Sequence, residues 1–118
     1  MNKKEYLSAV NSATIMQDRI EAISKIYGVE INNTVAGVIS LADQIDFFDE
    51  ERRALSYAEI FNPVRNLKID FVKLQAIPLI DAYDNTYIVY MIQDEKWGKF
   101  NSIDNVFFKR RSTLAEVL

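Results

Sequence analysis

The sequence predicts an α+β fold, in which helices near the N-terminus pack on an antiparallel sheet of four or five strands and a short helix closes the chain. Two periodicities support this prediction. Apolar residues recur at steps of three and four up to residue 42, which is the period of an amphipathic helix. From Phe71 the period becomes two, and between Ile77 and Phe108 turn residues separate apolar runs three times, as in a β-meander. Helices that precede a run of strands are typical of α+β domains.

The first helix is predicted over residues 3–27. Its apolar residues fall on one stripe: Tyr6, Val10, Ala13, Met16, Ile20, Ile23 and Tyr27. Three weak helix formers mark a place where the helix can bend or break: Asn11, Ser12 and Thr14. We expect Gly28 to end the helix, with Lys25 in its last turn, because glycine adopts the left-handed conformation that ends many helices.

A second, shorter helix is predicted over residues 34–42, capped by Asn32 or Asn33. An acidic stretch follows it: Asp43, Asp46, Asp49, Glu50 and Glu51. Apolar residues lie among these acids, so the stretch is expected to be a structured connection or a short strand: Ile45, Phe47 and Phe48. Residues 52–55 are expected to form a second short strand.

The middle of the chain begins with a capping signal. Ser56 and Glu59 match the capping box S-x-x-E, which predicts a helix of one or two turns that ends before Pro63. Residues 63–72 are ambiguous. The strands of the meander are expected near residues 72–80, 86–92, 97–101 and 105–110.

The strand near residues 86–92 is expected to lie in the centre of the sheet, because its side chains are apolar on both sides. One side of this strand should pack on helices, and the other is either covered by another element or forms a concave surface for a partner. After the last strand, Thr113 and Glu116 form a second capping box, which predicts a short helix through Leu118.

Composition limits the class of protein. A chain of 118 residues with 49% apolar residues is long enough for one domain with its own core, over residues 1–118. The net charge is −3 and the isoelectric point about 4.9, which argues against a nucleic-acid-binding protein and suits a basic protein partner. No apolar segment follows the first residues, so neither a signal peptide nor a membrane span is expected. The absence of cysteine favours a cytoplasmic location.

Catalytic and cofactor-binding motifs are missing from the sequence. There is no histidine, which removes the commonest general base and the commonest metal ligand. The sequence has only three glycines and contains neither a dinucleotide-binding fingerprint nor a phosphate-binding loop. We therefore expect no catalysis, no cofactor and no metal ion. An enzyme would have to use carboxylates, tyrosine or lysine, and Asp81 or Asp84 with Tyr87 could form its acid–base pair.

The predicted binding site lies at the rim of the meander. Asp81 and Asp84 flank the tightest predicted turn, where their carboxylates either hold a basic partner group or a cation, or cap the backbone of their own turn. Tyr87 and Trp97 lie on adjacent strands, and such aromatic residues are usually core but anchor interfaces when they are exposed. Trp97 is the preferred surface candidate, because it starts a strand after a polar turn and alternates with polar residues.

Two further charged clusters have both a structural and a functional interpretation. The acidic stretch of residues 43–51 lacks the ligand order and central glycine of an EF-hand loop. We therefore expect a solvated acidic face, partly neutralised by Arg52 and Arg53, instead of a calcium site. The basic run Lys109–Arg111 either contacts phosphate or forms the polar end of an edge strand, where it discourages further strand pairing.

The order of several motifs resembles the SUKH superfamily, which covers bacterial toxin-immunity proteins and fungal cell-wall assembly regulators. The clearest match is residues 47–60, in which the acidic, aromatic segment Phe47-Phe48-Asp49-Glu50-Glu51 leads to the helix start at Leu55-Ser56. Further motifs follow in the family's order: Ile77-Pro78-Leu79-Ile80-Asp81, Asp84-Asn85, Tyr87–Tyr90 and Trp97-Gly98-Lys99-Phe100-Asn101. The last residues, 112–118, are similar to the family's S-L-x-E-x-L ending. The family's early proline and its glycine-rich turn before the central strands are absent.

The resemblance implies a single SUKH-like α+β domain over residues 1–118 with no catalytic activity. It implies a bacterial immunity protein that neutralises a cognate toxin domain. In that case Asp81, Asp84, Tyr87 and Trp97 would contact a basic toxin domain. The alternative is a small-molecule-binding regulatory domain of a cell-wall or stress pathway, with its ligand in a pocket between sheet and helices. For either function we expect a monomer or a weak dimer.

Overall fold

A computed structural model of the chain describes residues 1–118. Five antiparallel strands form one sheet in the order β1-β2-β3-β4-β5, which is also their order in the chain. The strands are β1 (Arg53–Ala54), β2 (Ala76–Asp81), β3 (Thr86–Met91), β4 (Lys96–Asn101) and β5 (Val106–Arg111). The helices are α1 (Lys3–Asn11), α2 (Gln17–Tyr27), α3 (Asn33–Leu41), α4 (Tyr57–Phe61), α5 (Pro63–Leu67), α6 (Phe71–Leu74) and α7 (Leu114–Val117). The predicted α+β fold, with N-terminal helices and a short C-terminal helix, is confirmed.

The first predicted helix is in fact two helices, α1 and α2, joined where the sequence has weak helix formers. Asn2 caps α1, because its side chain accepts a hydrogen bond of 2.8 Å from the N–H of Glu5. In the connection, the N–H of Met16 donates to Ser40 Oγ at 2.9 Å, which ties the break to α3. Helix α2 ends at Gly28 as predicted, with a left-handed φ of 66°.

Three short helices, α4 to α6, connect β1 to β2. Ser56 and Glu59 form the predicted capping box, with hydrogen bonds of 3.2 Å from the Glu59 N–H to Ser56 Oγ and 2.9 Å from the Ser56 N–H to Glu59 Oε1. The prediction that the next strand starts near residue 72 is wrong. The Asp70 side chain caps the single-turn helix α6 there, and β2 starts at Ala76.

The register of the sheet separates two faces. On one face a row of cross-strand neighbours crosses all five strands: Arg53, Asp81, Tyr87, Phe100 and Phe107. We call this the α6 face, because Phe71 of α6 packs edge-on against Tyr87 and Phe100. The opposite face carries a second row: Ala54, Ile80, Ile88, Lys99 and Phe108.

Helix α7 lies on this opposite face, which we call the α7 face, because Val117 lines one cavity together with Ile88 and Lys99. Both faces of the sheet are therefore covered around β3, where Ile88 and Val89 point to opposite sides and are both fully buried. Strand β3 is the central strand, as the apolar residues on both of its sides predict.

Candidate functional site

The structure brings together two of the four predicted site residues. Asp81 and Tyr87 are direct cross-strand neighbours on the α6 face. Asp84 is exposed in the turn between their strands. Trp97 pairs with Tyr90 of β3, and because alternate residues of a strand point to opposite sides, it lies on the α7 face, away from Tyr87. The four residues therefore do not form one surface.

The prediction that Trp97 anchors a partner is corrected by its burial. Trp97 is 3% exposed and packs edge-on against Tyr90, with ring centroids 5.4 Å apart. Tyr90 pairs on its other side with Ile77, which is fully buried, so the three residues form a row inside the core. A polar turn before a strand therefore does not by itself bring the first aromatic residue of that strand to the surface.

Asp81 belongs to a compensated cluster of charges with Arg53 and Glu59. Arg53 donates two hydrogen bonds of 2.9 Å to Glu59, Nη1 to Oε1 and Nη2 to Oε2, and its Nη2 lies 3.4 Å from Asp81 Oδ2. The bonds from Arg53 lower the pKa of Glu59 in spite of its partial burial. Asp81 also accepts a hydrogen bond of 2.8 Å from the N–H of Tyr83, so it caps its own turn. Burial, and after it the Asp81 carboxylate, raises the pKa of Tyr87, which disfavours a tyrosinate base.

The acidic stretch folds into a tight hairpin, Phe47–Ala54, which we call the acidic hairpin. Two backbone hydrogen bonds of 2.9 Å close it, one between its last and first residues and one from Asp49 to Arg52. Asp49 Oδ1 accepts from the N–H groups of Glu51 and Arg52 at 2.8 and 2.7 Å, and Asp49 Oδ2 pairs with Arg52 Nη2 at 2.7 Å. Two hydrogen bonds lower the pKa of Asp49 to about 2: first the one from the Arg52 guanidinium, and then the one from the Glu51 N–H. These bonds link both ends of the hairpin and its tip.

Phe48 is the most exposed aromatic residue of the chain. It is 65% exposed, whereas its neighbour Phe47 is buried and stacks on Tyr6 with ring centroids 4.2 Å apart. A groove of about 630 Å³ lies against Phe48, and its walls combine apolar side chains with the carboxylates of Asp43 and Asp46. The hairpin therefore presents an aromatic ring surrounded by negative charge.

A second cavity, of about 300 Å³, lies on the α7 face between the acidic hairpin and α7. We call it the Lys99 cavity. Positive charge reaches it from Lys99 and Arg52, and negative charge from three carboxylates: Glu50, Glu51 and Asp84. The predicted site residue Asp84 therefore meets the tip of the acidic hairpin here, and not the Arg53 cluster.

The basic run at the end of the sheet protects an edge strand. Lys109 has a left-handed φ of 56°, and the register of β5 against β4 shifts beside it, which defines a β-bulge. Arg110 forms an ion pair with Asp94 of the turn between β3 and β4. The bulge and the positive charges agree with the edge-strand interpretation of this run, and they disfavour the addition of a partner's strand to β5.

The sequence predictions do not include Phe48, Arg52 and Lys99 among the site residues. One signal points to Phe48: neighbouring side chains of an extended segment face opposite sides, so one member of the Phe47-Phe48 pair has to leave the core. Arg52 and Lys99 give no such signal, because they lie far apart in the chain and only the folded sheet brings them to one cavity.

No group of three or more histidine, cysteine or acidic side chains is arranged to hold a metal ion. None of the helices is both long enough and apolar enough to cross a membrane. No family model matches the chain, and no curated protein or solved structure is significantly similar to it. Any functional assignment therefore depends on the geometry and chemistry of the chain itself.

Proposed function

We propose that this chain is a non-enzymatic protein-binding domain that recognises a basic partner through the acidic hairpin. The observation that carries this proposal is Phe48, which is 65% exposed on a hairpin that Asp49 and Arg52 hold together. Exposed aromatic residues supply much of the free energy of binding at protein interfaces. Because the hairpin is already ordered, binding does not have to order it, which lowers the entropic cost of association.

The charges near Phe48 select the kind of partner. Five exposed carboxylates lie on the hairpin, in the groove beside it or in the cavity behind it: Asp43, Asp46, Glu50, Glu51 and Asp84. Because these carboxylates outnumber the cations that line the same groove and cavity, Arg52, Arg53 and Lys99, the surface is net negative and should attract a basic partner and raise the rate of association. A partner with lysine or arginine around an apolar recess for the Phe48 ring would fit both the charge and the shape of this surface.

The resemblance to the SUKH superfamily supports a more specific proposal. In this proposal the chain is an immunity protein of the bacterial cytoplasm, and its basic partner is the toxin domain that it neutralises. Toxin domains that cut nucleic acids need a basic surface for their substrate. The acidic hairpin would be steered to such a surface and would exclude the substrate from it.

The binding surface is tested by capturing the partner with matched variants. Tagged wild type, Phe48→Ala and Phe61→Ala serve as baits in a lysate of the source cells. Phe61, which is 44% exposed on α4, controls for the loss of an exposed aromatic elsewhere. Wild type and Phe61→Ala should retain the same basic protein. With purified partner, Phe48→Ala should weaken the Kd about 30-fold, or ~2 kcal/mol. Equal affinity of all three baits contradicts the proposed surface.

Immunity needs a separate test, because binding does not establish protection. The captured partner is expressed in a host cell alone, with wild type, or with Phe48→Ala. We expect the partner alone to arrest growth, wild type to restore growth, and Phe48→Ala to restore less of it. A captured partner that is not toxic, or whose toxicity the wild type does not relieve, contradicts the immunity proposal while the binding surface stands.

A second candidate function is a small-molecule-binding regulatory domain. The observation that favours it is the Lys99 cavity, which lies between the sheet and α7, as a ligand pocket of this kind requires. A small molecule that raises the melting temperature of the isolated chain would support this function. Its absence from a broad metabolite screen would argue against it.

A further inference from the structure

The groove beside Phe48 has apolar walls that solvent can reach. Phe48 is 65% exposed and Met1 is 47% exposed, and both line this groove of about 630 Å³ together with the half-buried side chain of Ile45. The other walls come from the segment that follows α3, from both strands of the acidic hairpin and from the N-cap of α4. A side chain with an apolar stem therefore finds uncovered apolar surface here.

Two exposed carboxylates of the groove have no cationic partner. Asp43 and Asp46 both line it, and neither takes part in any of the chain's four ion pairs. Asp43 Oδ2 accepts a hydrogen bond of 3.0 Å from the N–H of Tyr57, which holds the side chain in place and leaves Oδ1 for another donor. The groove therefore offers acceptor oxygens beside its apolar walls.

The cations that line the groove do not neutralise these carboxylates. Arg53 donates two hydrogen bonds of 2.9 Å to Glu59, and its Nη2 lies 3.4 Å from Asp81. These two carboxylates more than balance the single charge of Arg53. The α-ammonium group of Met1 forms no ion pair. A cation brought by a partner would therefore enter a region of net negative charge.

The acidic hairpin itself shows which cation suits an aromatic ring beside a carboxylate. The guanidinium carbon of Arg52 lies 5.6 Å from the centroid of the Phe47 ring, while Arg52 Nη2 donates to Asp49 at 2.7 Å. A planar guanidinium can stack on a ring and donate hydrogen bonds in its own plane, which a compact, strongly hydrated ammonium group cannot do. The neighbouring ring of Phe48 has the same chemistry and is exposed.

We propose that this groove binds an arginine side chain of the partner protein, which stacks on Phe48 and donates hydrogen bonds to Asp43 and Asp46. The five N–H donors of one guanidinium can serve two carboxylates, and the aliphatic stem of the arginine can pack on Met1 and Ile45. The arginine subsite rests on the proposed function, because it names the group by which the basic partner is recognised. It goes further in requiring arginine instead of positive charge in general.

The subsite is tested on the isolated, isotope-labelled chain by NMR titration with three peptides at equal ionic strength. The peptides are acetyl-Gly-Arg-Gly-amide, its lysine analogue and its citrulline analogue, in which a neutral group replaces the guanidinium. We expect the arginine peptide to shift the amide signals of Ile45, Asp46 and Phe48 in a saturable manner. The lysine peptide should bind about threefold more weakly, and the citrulline peptide about tenfold more weakly.

Matched variants separate the subsite from the net charge of the chain. Asp46→Asn should weaken binding of the arginine peptide about fivefold. Asp104→Asn removes an exposed carboxylate from the turn between β4 and β5 and should leave binding unchanged. Phe48→Leu keeps an apolar side chain but removes the ring, and it should weaken binding about threefold. It also serves as the second variant if Asp46→Asn does not fold.

Two results would overturn the arginine subsite. The first is equal binding of the arginine peptide and either of its analogues. The second is equal binding of the arginine peptide by wild type and by the folded Asp46→Asn and Phe48→Leu variants.

The purified partner separates a failure of the subsite from a failure of the proposed function. If Phe48→Ala weakens the Kd of the partner but Asp46→Asn does not, the acidic hairpin remains the binding surface and the arginine subsite is wrong. If the peptides behave as expected but neither variant changes the Kd of the partner, the groove is an arginine site and the proposed function is wrong.

Discussion

Arg52 and Arg53 are neighbours in the chain but have opposite surroundings. Arg53, on the α6 face, donates two hydrogen bonds to Glu59 and belongs to a compensated cluster. Arg52 lines the cavity on the α7 face, where it pairs with Asp49 but leaves its Nε without an acceptor, and where Lys99 takes part in no ion pair. Charged side chains on the two faces of this sheet therefore differ in how completely they are paired. Paired charge joins β1 to α4 and β2, whereas the unpaired charge of Lys99 reduces stability.

The largest expected effect comes from removing Glu59 from its compensated cluster with Arg53 and Asp81. Glu59→Ala removes both hydrogen bonds to Arg53 and one half of the capping box of α4. We expect the free energy of unfolding to fall by about 2 kcal/mol, measured by chemical denaturation. Glu50→Ala, at the exposed tip of the acidic hairpin, is the control and should change it by less than about 0.5 kcal/mol. Equal losses in the two variants would show that the pairing with Arg53 is not what stabilises this side.

A smaller effect of opposite sign is expected when the unpaired charge of Lys99 is removed. Lys99→Met removes a half-buried charge that lies near Lys109 and Arg52 and keeps a side chain of similar length. We expect the free energy of unfolding to rise by less than about 1 kcal/mol, and the gain to shrink as salt screens the repulsion. Lys25→Met, a change of an exposed lysine on α2, should show no comparable gain. A loss of stability in Lys99→Met would mean that Lys99 has a structural partner, and the contrast between the two sides would disappear.

The smallest effect concerns the ion pair that Arg52 does make. The pKa of Asp49 is lowered from 3.8 to about 2. The ion pair therefore contributes its full stability at a pH above the pKa of the unfolded chain, and this contribution is lost as the pH falls through the pKa of the folded chain. The amide protons of Glu51 and Arg52, which donate to Asp49, should therefore titrate with a midpoint of about 2 in NMR spectra. The titration should be absent in Asp49→Asn. A midpoint near 3.8 would show that the acidic hairpin is not closed in solution.

The sequence predicted the elements of this fold well, because their signals are local. Period-two runs and the turns between them placed β3, β4 and β5 to within one residue at each end. The capping box at Ser56 and Glu59 formed as expected. Residues 71–74 form a helix instead of a strand because the Asp70 side chain caps that turn, a local alternative that the period alone does not reveal.

The candidate site was harder to predict, because it depends on which surfaces meet. Alternation along β4 shows that Trp97 and Lys99 share one face, but not that the core covers Trp97 and leaves Lys99 half-exposed. The pairing of Trp97 with Tyr90 decides that Trp97 and Tyr87 lie on opposite faces, and this register follows from the turn between β3 and β4. Arg52 and Lys99 come close together only in the tertiary structure, and no pattern in the sequence indicates this.

The matching order of strands in the sheet and in the chain has a consequence for folding kinetics. Each connection from β2 to β5 is only four residues long, at 82–85, 92–95 and 102–105, so these strands pair with little loss of loop entropy. Strand β1 can join β2 only after the much longer segment 55–75 has been brought into place. We therefore expect the meander to form early and the acidic hairpin to dock late. By the same logic, the hairpin should be the first part of the sheet to open, and its amide hydrogens should exchange with solvent before those of β3.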